Sequence, residues 1–141
     1  MLLHMAEMNG PITSESLAAA MHTNPVVVRR LMSGLRQAGF VSSAKGHGGG
    51  WVLSCPLAAV TLGDIHNAVG SPALLAMGNR TESPGCVVEQ AVNAALDGAC
   101  GEAEALLLKR FNSITLADLS KDFHRRMTGG GFTRKDIEHA L

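Results

Sequence analysis

Four basic side chains stand close together in the sequence, in a stretch without any acidic residue. Arg29, Arg30, Arg36 and Lys45 lie between residues 24 and 50, so this window has a formal charge of +4, whereas the 141-residue chain as a whole has a net charge of zero. Guanidinium and ammonium groups on one surface attract a polyanion and can bond to phosphates or to base edges. This cluster indicates nucleic-acid binding.

Thiols are the second candidate for chemistry. The chain has three widely spaced cysteines, Cys55, Cys86 and Cys100. An odd number argues against a disulfide framework and favours a reducing cytoplasm. Cys86 stands at the start of a predicted long helix, where free N–H groups and the helix dipole favour a thiolate. It is therefore either a sensor thiol that oxidants or electrophiles modify, or a small buried hydrophobic residue.

One helix is predicted to position the arginines. Asn24 is a good N-cap, and Pro25 suits the first helical position. An apolar face follows from the i, i+3, i+4, i+7 spacing of Val28, Leu31, Met32 and Leu35. The opposite face consists of Arg29, Arg30, Ser33, Arg36 and Gln37. Gly39 is predicted to end this helix.

The flanking segments predict what kind of basic helix this is. Upstream, Thr13 caps a short helix within residues 11–21 that packs through Leu17, Ala18 and Met21. Downstream, strand-like runs at residues 40–44 and 51–53 enclose a glycine-rich tip. Two short helices, the second basic, followed by a hairpin are the plan of a winged helix-turn-helix. Spacing alone also allows a helical hairpin with a solvated basic face.

A family resemblance favours the first alternative. The run QAGFVSSAKGHGGGWVLSCPLAAVTLGDIHNAVG and the later SITLADL are similar to ordered motifs of the Rrf-two family of bacterial winged-helix repressors. The resemblance implies a repressor that binds double-stranded DNA, and the predicted long helix indicates a homodimer that binds an inverted repeat. It places Arg29 and Arg30 where the family contacts base edges, and Lys45 where the wing enters the minor groove. The predicted DNA-binding residues are Asn24, Val26, Arg29, Arg30, Ser33, Arg36, Lys45, His47 and Gly48.

The rest of the chain predicts packing and dimerisation. Thr61 and Asp64 form a capping box for a packing helix, residues 71–85 form a connector, and residues 86–111 form one long helix. A helix of this length exceeds what a small winged domain can cover, so we expect it to pack against its twin. The predicted interface is Val88, Val92, Ala95, Ala99, Ala103 and Leu106. Thr115 and Asp118 then cap a short helix, a glycine run at 129–131 breaks the chain, and a last helix covers residues 133–141.

These predictions define a mainly helical protein with a small β-hairpin wing. Residues 1–70 form the winged domain, 71–85 the connector, and 86–141 the dimerisation helix and C-terminal helices. No hydrolase, nucleotide-binding or zinc motif occurs, and no stretch resembles a membrane span or signal peptide. Cluster-bearing members of the resembled family place three cysteines near the start of the long helix, where this chain has only Cys86, so no cofactor or metal is expected.

The expected function is that of a cytoplasmic repressor responding to an oxidant or a small molecule. The alternatives are a thiol-dependent redox enzyme and a winged-helix module that contacts only proteins.

Overall fold

The structure is a computed structural model that describes residues 1–8, 10–46, 48–75 and 86–130. This part of the chain is mainly helical, with one two-stranded antiparallel sheet, which confirms the predicted class. In chain order the elements are α1 (Leu2–Glu7), α2 (Ser14–Ala20), α3 (Pro25–Gln37), β1 (Val41–Ala44), β2 (Gly50–Leu53), a 3-10 turn (Leu57–Ala59), α4 (Leu62–Ala68), α5 (Val87–Phe111) and α6 (Leu116–Gly130).

The helix-turn-helix consists of α2 and α3, and each helix begins at a residue that caps it. The Thr13 side chain accepts a hydrogen bond from the Ser16 N–H at 3.1 Å, and the Asn24 side chain accepts one from the Val26 N–H at 2.8 Å. Pro25 occupies the first helical position, where a backbone N–H would have no acceptor within the helix, so that its absence costs no hydrogen bond. Both predicted caps are confirmed.

Both helices end at a residue with a positive φ. His22 follows α2 with φ 48°, and Gly39 follows α3 with φ 80°. The N–H of the residue that follows then donates to a carbonyl in the last helical turn. The Thr23 N–H donates to the Ala18 carbonyl at 2.9 Å, and the residue after Gly39 donates in the same way to a carbonyl of α3. This geometry makes the turn between α2 and α3 short, and it thereby sets their crossing.

The hairpin is fastened to the segment that leads into α2. β1 and β2 pair with Ser43 opposite Trp51, and their bounds lie within one residue of the prediction. Ile12 exchanges two backbone hydrogen bonds with Trp51, at 2.8 and 3.0 Å, and the Trp51 indole N–H donates to the Ser14 hydroxyl at 2.9 Å. The wing is therefore oriented by contacts with the helix-turn-helix.

The core joins α1, α2, α3 and the sheet. Its buried hydrophobic residues are Leu2, Met5, Ile12, Leu17, Ala18, Val28, Met32, Leu35, Val41, Val60 and Leu116. The predicted apolar face of α3 is confirmed at Val28, Met32 and Leu35. Met21 was predicted to pack, but it is 44% exposed because it is the C-cap of α2, where the chain turns away. Of the three alanines at 18–20, only Ala18 is buried.

Helix α4 begins with the predicted capping box. The Thr61 N–H donates to the Asp64 carboxylate at 2.8 Å, and the Asp64 N–H donates to the Thr61 hydroxyl at 3.1 Å. The hydrogen bonds that Asp64 receives from the Thr61 side chain and backbone lower the pKa of this carboxyl below its usual value. Since the charged form accepts both bonds more strongly, protonation of Asp64 would weaken the cap.

The apolar side of α4 is partly covered. Its fully buried residues are Gly63 and His66. Its apolar side chains are half-buried, and Ile65, Ala68 and Val69 pack against the core. Leu62, Ile65 and Val69 also line an open apolar groove of about 500 Å³ between α1, α3, α4 and α6.

Helices α3 and α4 approach each other closely at Gly34. A Cβ atom on this residue would lie 2.1 Å from the backbone oxygen of Ala68, which cannot move without shifting α4. A Cβ atom on Gly101 in α5 would have no heavy atom within 4 Å. The two glycines therefore suit a comparison, because both lie within helices and only Gly34 has a close neighbour.

We expect Gly34→Ala to lower the free energy of unfolding by about 1–3 kcal/mol, as overpacking of a close contact does. Gly101→Ala should raise it by about 1 kcal/mol, because alanine is the better helix former. Urea unfolding at one protein concentration measures both changes as shifts of the midpoint. Stabilisation by both substitutions would contradict the close contact at Gly34.

The long helix α5 confirms the prediction for residues 86–111, with Cys86 as its N-cap. None of its residues is buried in the protomer. The partly covered residues lie on one stripe: Glu89, Asn93, Cys100, Glu104, Leu108 and Phe111. On this side, the Glu104 carboxylate accepts the Leu74 N–H at 3.0 Å. The protomer thus covers one side of α5.

Helix α6 is longer than predicted. Its cap is the expected one, since the Asp118 N–H donates to the Thr115 hydroxyl at 3.1 Å. The helix then continues to Gly130, whereas we expected a short helix within residues 115–123. The Asp122 carboxylate accepts from Arg126 at 2.6 Å, one turn farther on, and such a pair supports a longer helix. The predicted helix at 133–141 lies outside the described residues.

None of the helices in the described ranges combines the length and apolar character that crossing a membrane requires.

Candidate nucleic-acid interface

The exposed side of α3 carries one continuous stripe of side chains. Val26, Arg30, Ser33 and Gln37 follow one another at helical spacings of four, three and four residues. Ser33 is partly covered, and the other three are exposed. Because the core residues of α3 lie on the other side of the helix, this stripe points away from the protein. A helix that presents such a face can enter the major groove.

Arg29 lies beside this stripe and has an acidic partner. Its guanidinium group donates to the carboxylate of Glu15, which lies in the first turn of α2. Both side chains are more than half exposed, so this ion pair adds little to folding stability. Its effect is electrostatic, because a carboxylate at the edge of the basic surface reduces the local positive charge. We did not predict this contact, because Glu15 lies outside the basic window. An acidic residue in the first turn of the helix that Thr13 caps is already favoured by the helix dipole, so it needs no further partner.

Two more predicted DNA contacts lie at the ends of α3. Asn24 is exposed, but its side-chain oxygen is occupied by the cap, so its amide NH₂ is the group that faces a ligand. Arg36 is exposed in the last turn of the helix, about 9 Å along the axis from Arg30 at 1.5 Å per residue. Arg36 thus lies at the carboxyl end of α3, whereas Val26 lies at its amino end.

The wing adds the fourth cation. Lys45 is exposed directly after β1, at the start of the hairpin tip. Gly46 and Gly48 have φ of 102° and 81°, which other residues rarely adopt. A Cβ atom on Gly49 would lie 2.5 Å from the Ala44 carbonyl oxygen. The glycines thus keep the tip narrow. His47, which was predicted to contact DNA, lies outside the described residues.

The cysteines do not assemble a cluster site. Cys86 and Cys100 lie on one helix, 14 residues apart, which is about 21 Å along its axis. The Cys55 thiol donates to the Phe40 carbonyl at 3.4 Å, and burial raises its pKa. Among the residues that the structure describes, no three His, Cys, Asp or Glu side chains meet as metal ligands. Cys86 and Cys100 are therefore too far apart to be ligands of one iron–sulfur cluster within a single chain.

In the part of the chain that the structure describes, the buried polar residues are Ser14 and His66. The Ser14 hydroxyl accepts a hydrogen bond from the Trp51 indole N–H at 2.9 Å. The His66 Nε2 lies 2.9 Å from the Pro72 carbonyl oxygen, whereas its buried Nδ1 has no hydrogen-bond partner within the described ranges. Ser14 therefore supports the scaffold that carries the interface.

Known proteins share this architecture. The sequence model of Rrf2, described as an iron-dependent transcriptional regulator, matches residues 1–122. In Bacillus subtilis strain 168, the putative HTH-type transcriptional regulator YwnA is 29% identical over 118 residues, which are 84% of this chain and 88% of YwnA. The putative HTH-type regulator YwgB is 36% identical over 69 residues, 49% of this chain and only 44% of YwgB.

Among solved structures, CymR, the global cysteine regulator of B. subtilis, is 26% identical with a TM-score of 0.59, over 85% of this chain and 87% of CymR. By the family match over most of its length, the chain belongs to the Rrf2 family of transcriptional regulators and is not an enzyme.

Proposed function

We propose that the protein is a homodimeric repressor that binds an inverted-repeat operator in double-stranded DNA. The observation that carries this proposal is the exposed stripe of α3, with Arg30 at its centre, Arg29 and Arg36 beside it, and no acidic residue in the sequence from 24 to 50. Cations on a helix that fits the major groove supply both phosphate attraction and base contacts. As a DNA-binding regulator of bacterial type, it should act in the cytoplasm.

Retention of a random-sequence duplex at two salt concentrations tests this proposal. Binding should be readily measured at about 50 mM salt and should weaken steeply by about 200 mM, because neutralised phosphates release counterions. A protein-interaction module without DNA binding would retain no duplex at either concentration, and that result would overturn the proposal.

The distribution of charge supports different roles for the two parts of the chain. Residues 1–56 have four basic and two acidic side chains, whereas residues 57–141 have eight basic and ten acidic ones. We assign DNA binding to residues 1–70, a connecting role to 71–85, and dimerisation to 86–141. The anionic partner is thus assigned to residues 1–70.

The exposed side of α5 supports the dimer. Val88 is 73% exposed, Val92 52% and Leu106 69%, and the three alanines between them are exposed as well. This seam lies about 125° around the helix from the stripe that the protomer covers. A second copy of the chain is the natural cover for an apolar helix face of this length, and twofold symmetry then matches an inverted repeat.

A thiol signal at Cys86 is the third part of the proposal. Cys86 is exposed and occupies the N-cap of α5, where no side-chain hydrogen bond engages it. Cys55 and Cys100 are partly covered, and Cys55 has a raised pKa. Modification of Cys86 would add bulk or charge where the connector meets the proposed dimer helix.

We expect peroxide to weaken DNA binding by the wild type and by Cys100→Ser, but not by Cys86→Ser. A reductant should restore binding if the product is a sulfenic acid or a disulfide. Fluorescence anisotropy of a labelled duplex before oxidation, after it and after reduction measures the effect. If Cys86→Ser loses binding as readily as the wild type, the signal is not this thiol, and a small-molecule effector becomes the better hypothesis.

A further inference from the structure

One apolar side chain stands at the amino end of the basic stripe. Val26 is 65% exposed, and it is followed along the same face by Arg30 and Ser33. The amino end of a recognition helix is the part that comes nearest to the base edges. Within the stripe, the side chain nearest the amino end of α3 is therefore hydrophobic, whereas those behind it are polar.

Folding does not require a hydrophobic residue at this position. The cap uses only the Val26 backbone N–H, which any residue except proline would supply. Valine is a weaker helix former than alanine, and its exposed side chain gains little from the protein itself. Its branched side chain is also stiff at χ1, so it presents two methyl groups in a fixed direction.

The major groove offers one apolar group to such a side chain, the C5-methyl group of thymine. Apart from the smaller C5–H of cytosine, the other base-edge groups in that groove are hydrogen-bond donors or acceptors, and contact with a valine would leave a donor or acceptor without a partner. Arg30 is the complementary group, since a guanidinium pairs with the two acceptors of guanine.

We propose that Val26 contacts the methyl group of a thymine in each half-site, close to the base that Arg30 contacts. This inference rests on the proposed DNA-binding function. Val26 and Arg30 are four residues apart, about 6 Å along the helix axis at 1.5 Å per residue. Successive base pairs are about 3.4 Å apart, so the thymine lies within about two base pairs of the base opposite Arg30.

Val27 is the matched control. It is the neighbouring residue of the same type and is 47% exposed, but it lies about 100° around the helix, toward the side on which Gly34 meets α4. Val27→Ala therefore removes the same atoms from α3 without changing the stripe.

The experiment replaces thymine by deoxyuridine, which lacks the methyl group and keeps every hydrogen bond of the base pair. A duplex is first selected from a random library with the wild-type protein. Each thymine of a half-site is then replaced singly, and the Kd of wild type, Val26→Ala and Val27→Ala is measured by fluorescence anisotropy.

At one thymine position, loss of the methyl group should weaken wild-type binding about fourfold, as expected for one buried methyl group. Val27→Ala should show the same loss at that position, whereas Val26→Ala should bind the thymine and deoxyuridine duplexes equally.

If the wild type prefers the selected duplex to a random one but tolerates deoxyuridine everywhere, methyl recognition is wrong and DNA binding stands. A Val26→Ala variant that keeps the fourfold loss also overturns the proposal. Selection that yields no preferred sequence overturns it as well, and absence of any duplex binding overturns the proposed function itself.

Discussion

Replacing Arg29, Arg30 and Lys45 together by alanine is expected to weaken DNA binding at least about 100-fold, with little change in folding stability. All three side chains are exposed, so their removal leaves the core intact. An arginine that bonds to a base edge contributes about 1–3 kcal/mol, and each lost phosphate contact lowers the salt slope by about one. Titration of a selected and a random duplex at several salt concentrations measures both effects.

The separate variants should differ in kind. Arg30→Ala should relax the choice of sequence, because Arg30 lies at the centre of the exposed stripe. Arg36→Ala should weaken all sequences alike and flatten the salt dependence, because Arg36 lies in the last turn of the helix, where we expect it to contact phosphate. The ratio of the two Kd values, selected over random duplex, separates these outcomes.

Glu15→Gln is a control with the opposite sign. It removes the carboxylate that pairs with Arg29 and leaves the positive charge of α3 unopposed. We expect tighter binding and a steeper salt dependence. Glu102→Gln removes an equal charge from α5, which has none of the predicted DNA-contact residues, and should change neither. For the variant in which Arg29, Arg30 and Lys45 are all alanine, DNA binding as tight as that of the wild type would refute the assigned interface.

Local signals predicted the elements of the interface well. Asn24, Thr13 and Thr61 each cap the helix that they were expected to cap, because a cap depends on residues within one turn. The apolar spacing in α3 likewise identified three fully buried residues. In these segments local preference and tertiary packing agree, so the sequence suffices.

Contacts between elements were beyond the reach of these signals. Glu15 meets Arg29 only because the short turn at His22 brings the start of α2 beside α3. The close approach of Ala68 in α4 to Gly34 is likewise a contact that periodicity within α4 cannot reveal. The DNA-contact set remains a prediction, since base contacts depend on a partner that α3 meets only in the complex.

The dimer interface is equally a prediction, and Ala99→Glu is expected to abolish it. Ala99 lies at the middle of the exposed seam of α5, with Val92 two turns before it and Leu106 two turns after it. A small residue there allows two helices to approach closely. A glutamate would bury two unpaired charges near the twofold axis, each costing several kcal/mol.

The matched control is Ala94→Glu. Ala94 is also an exposed alanine of α5, but it lies five residues from Ala99 and therefore about 140° around the helix. It is not on the stripe that the protomer covers either, so a charge at this position should remain in water. The two variants have the same composition and differ only in the face of α5 that they change.

Ala99→Glu should raise the dimer dissociation constant at least about 100-fold, whereas Ala94→Glu should leave it unchanged. Light scattering over a concentration series measures this constant, and circular dichroism verifies that α5 stays helical. Because a monomer holds only one half-site, the loss of linkage should also weaken operator binding by about 100-fold or more. If Ala99→Glu remains a dimer as stable as the wild type, the two copies do not pack through this face. If Ala94→Glu is instead the variant that dissociates, the contact lies on the other side of the same helix.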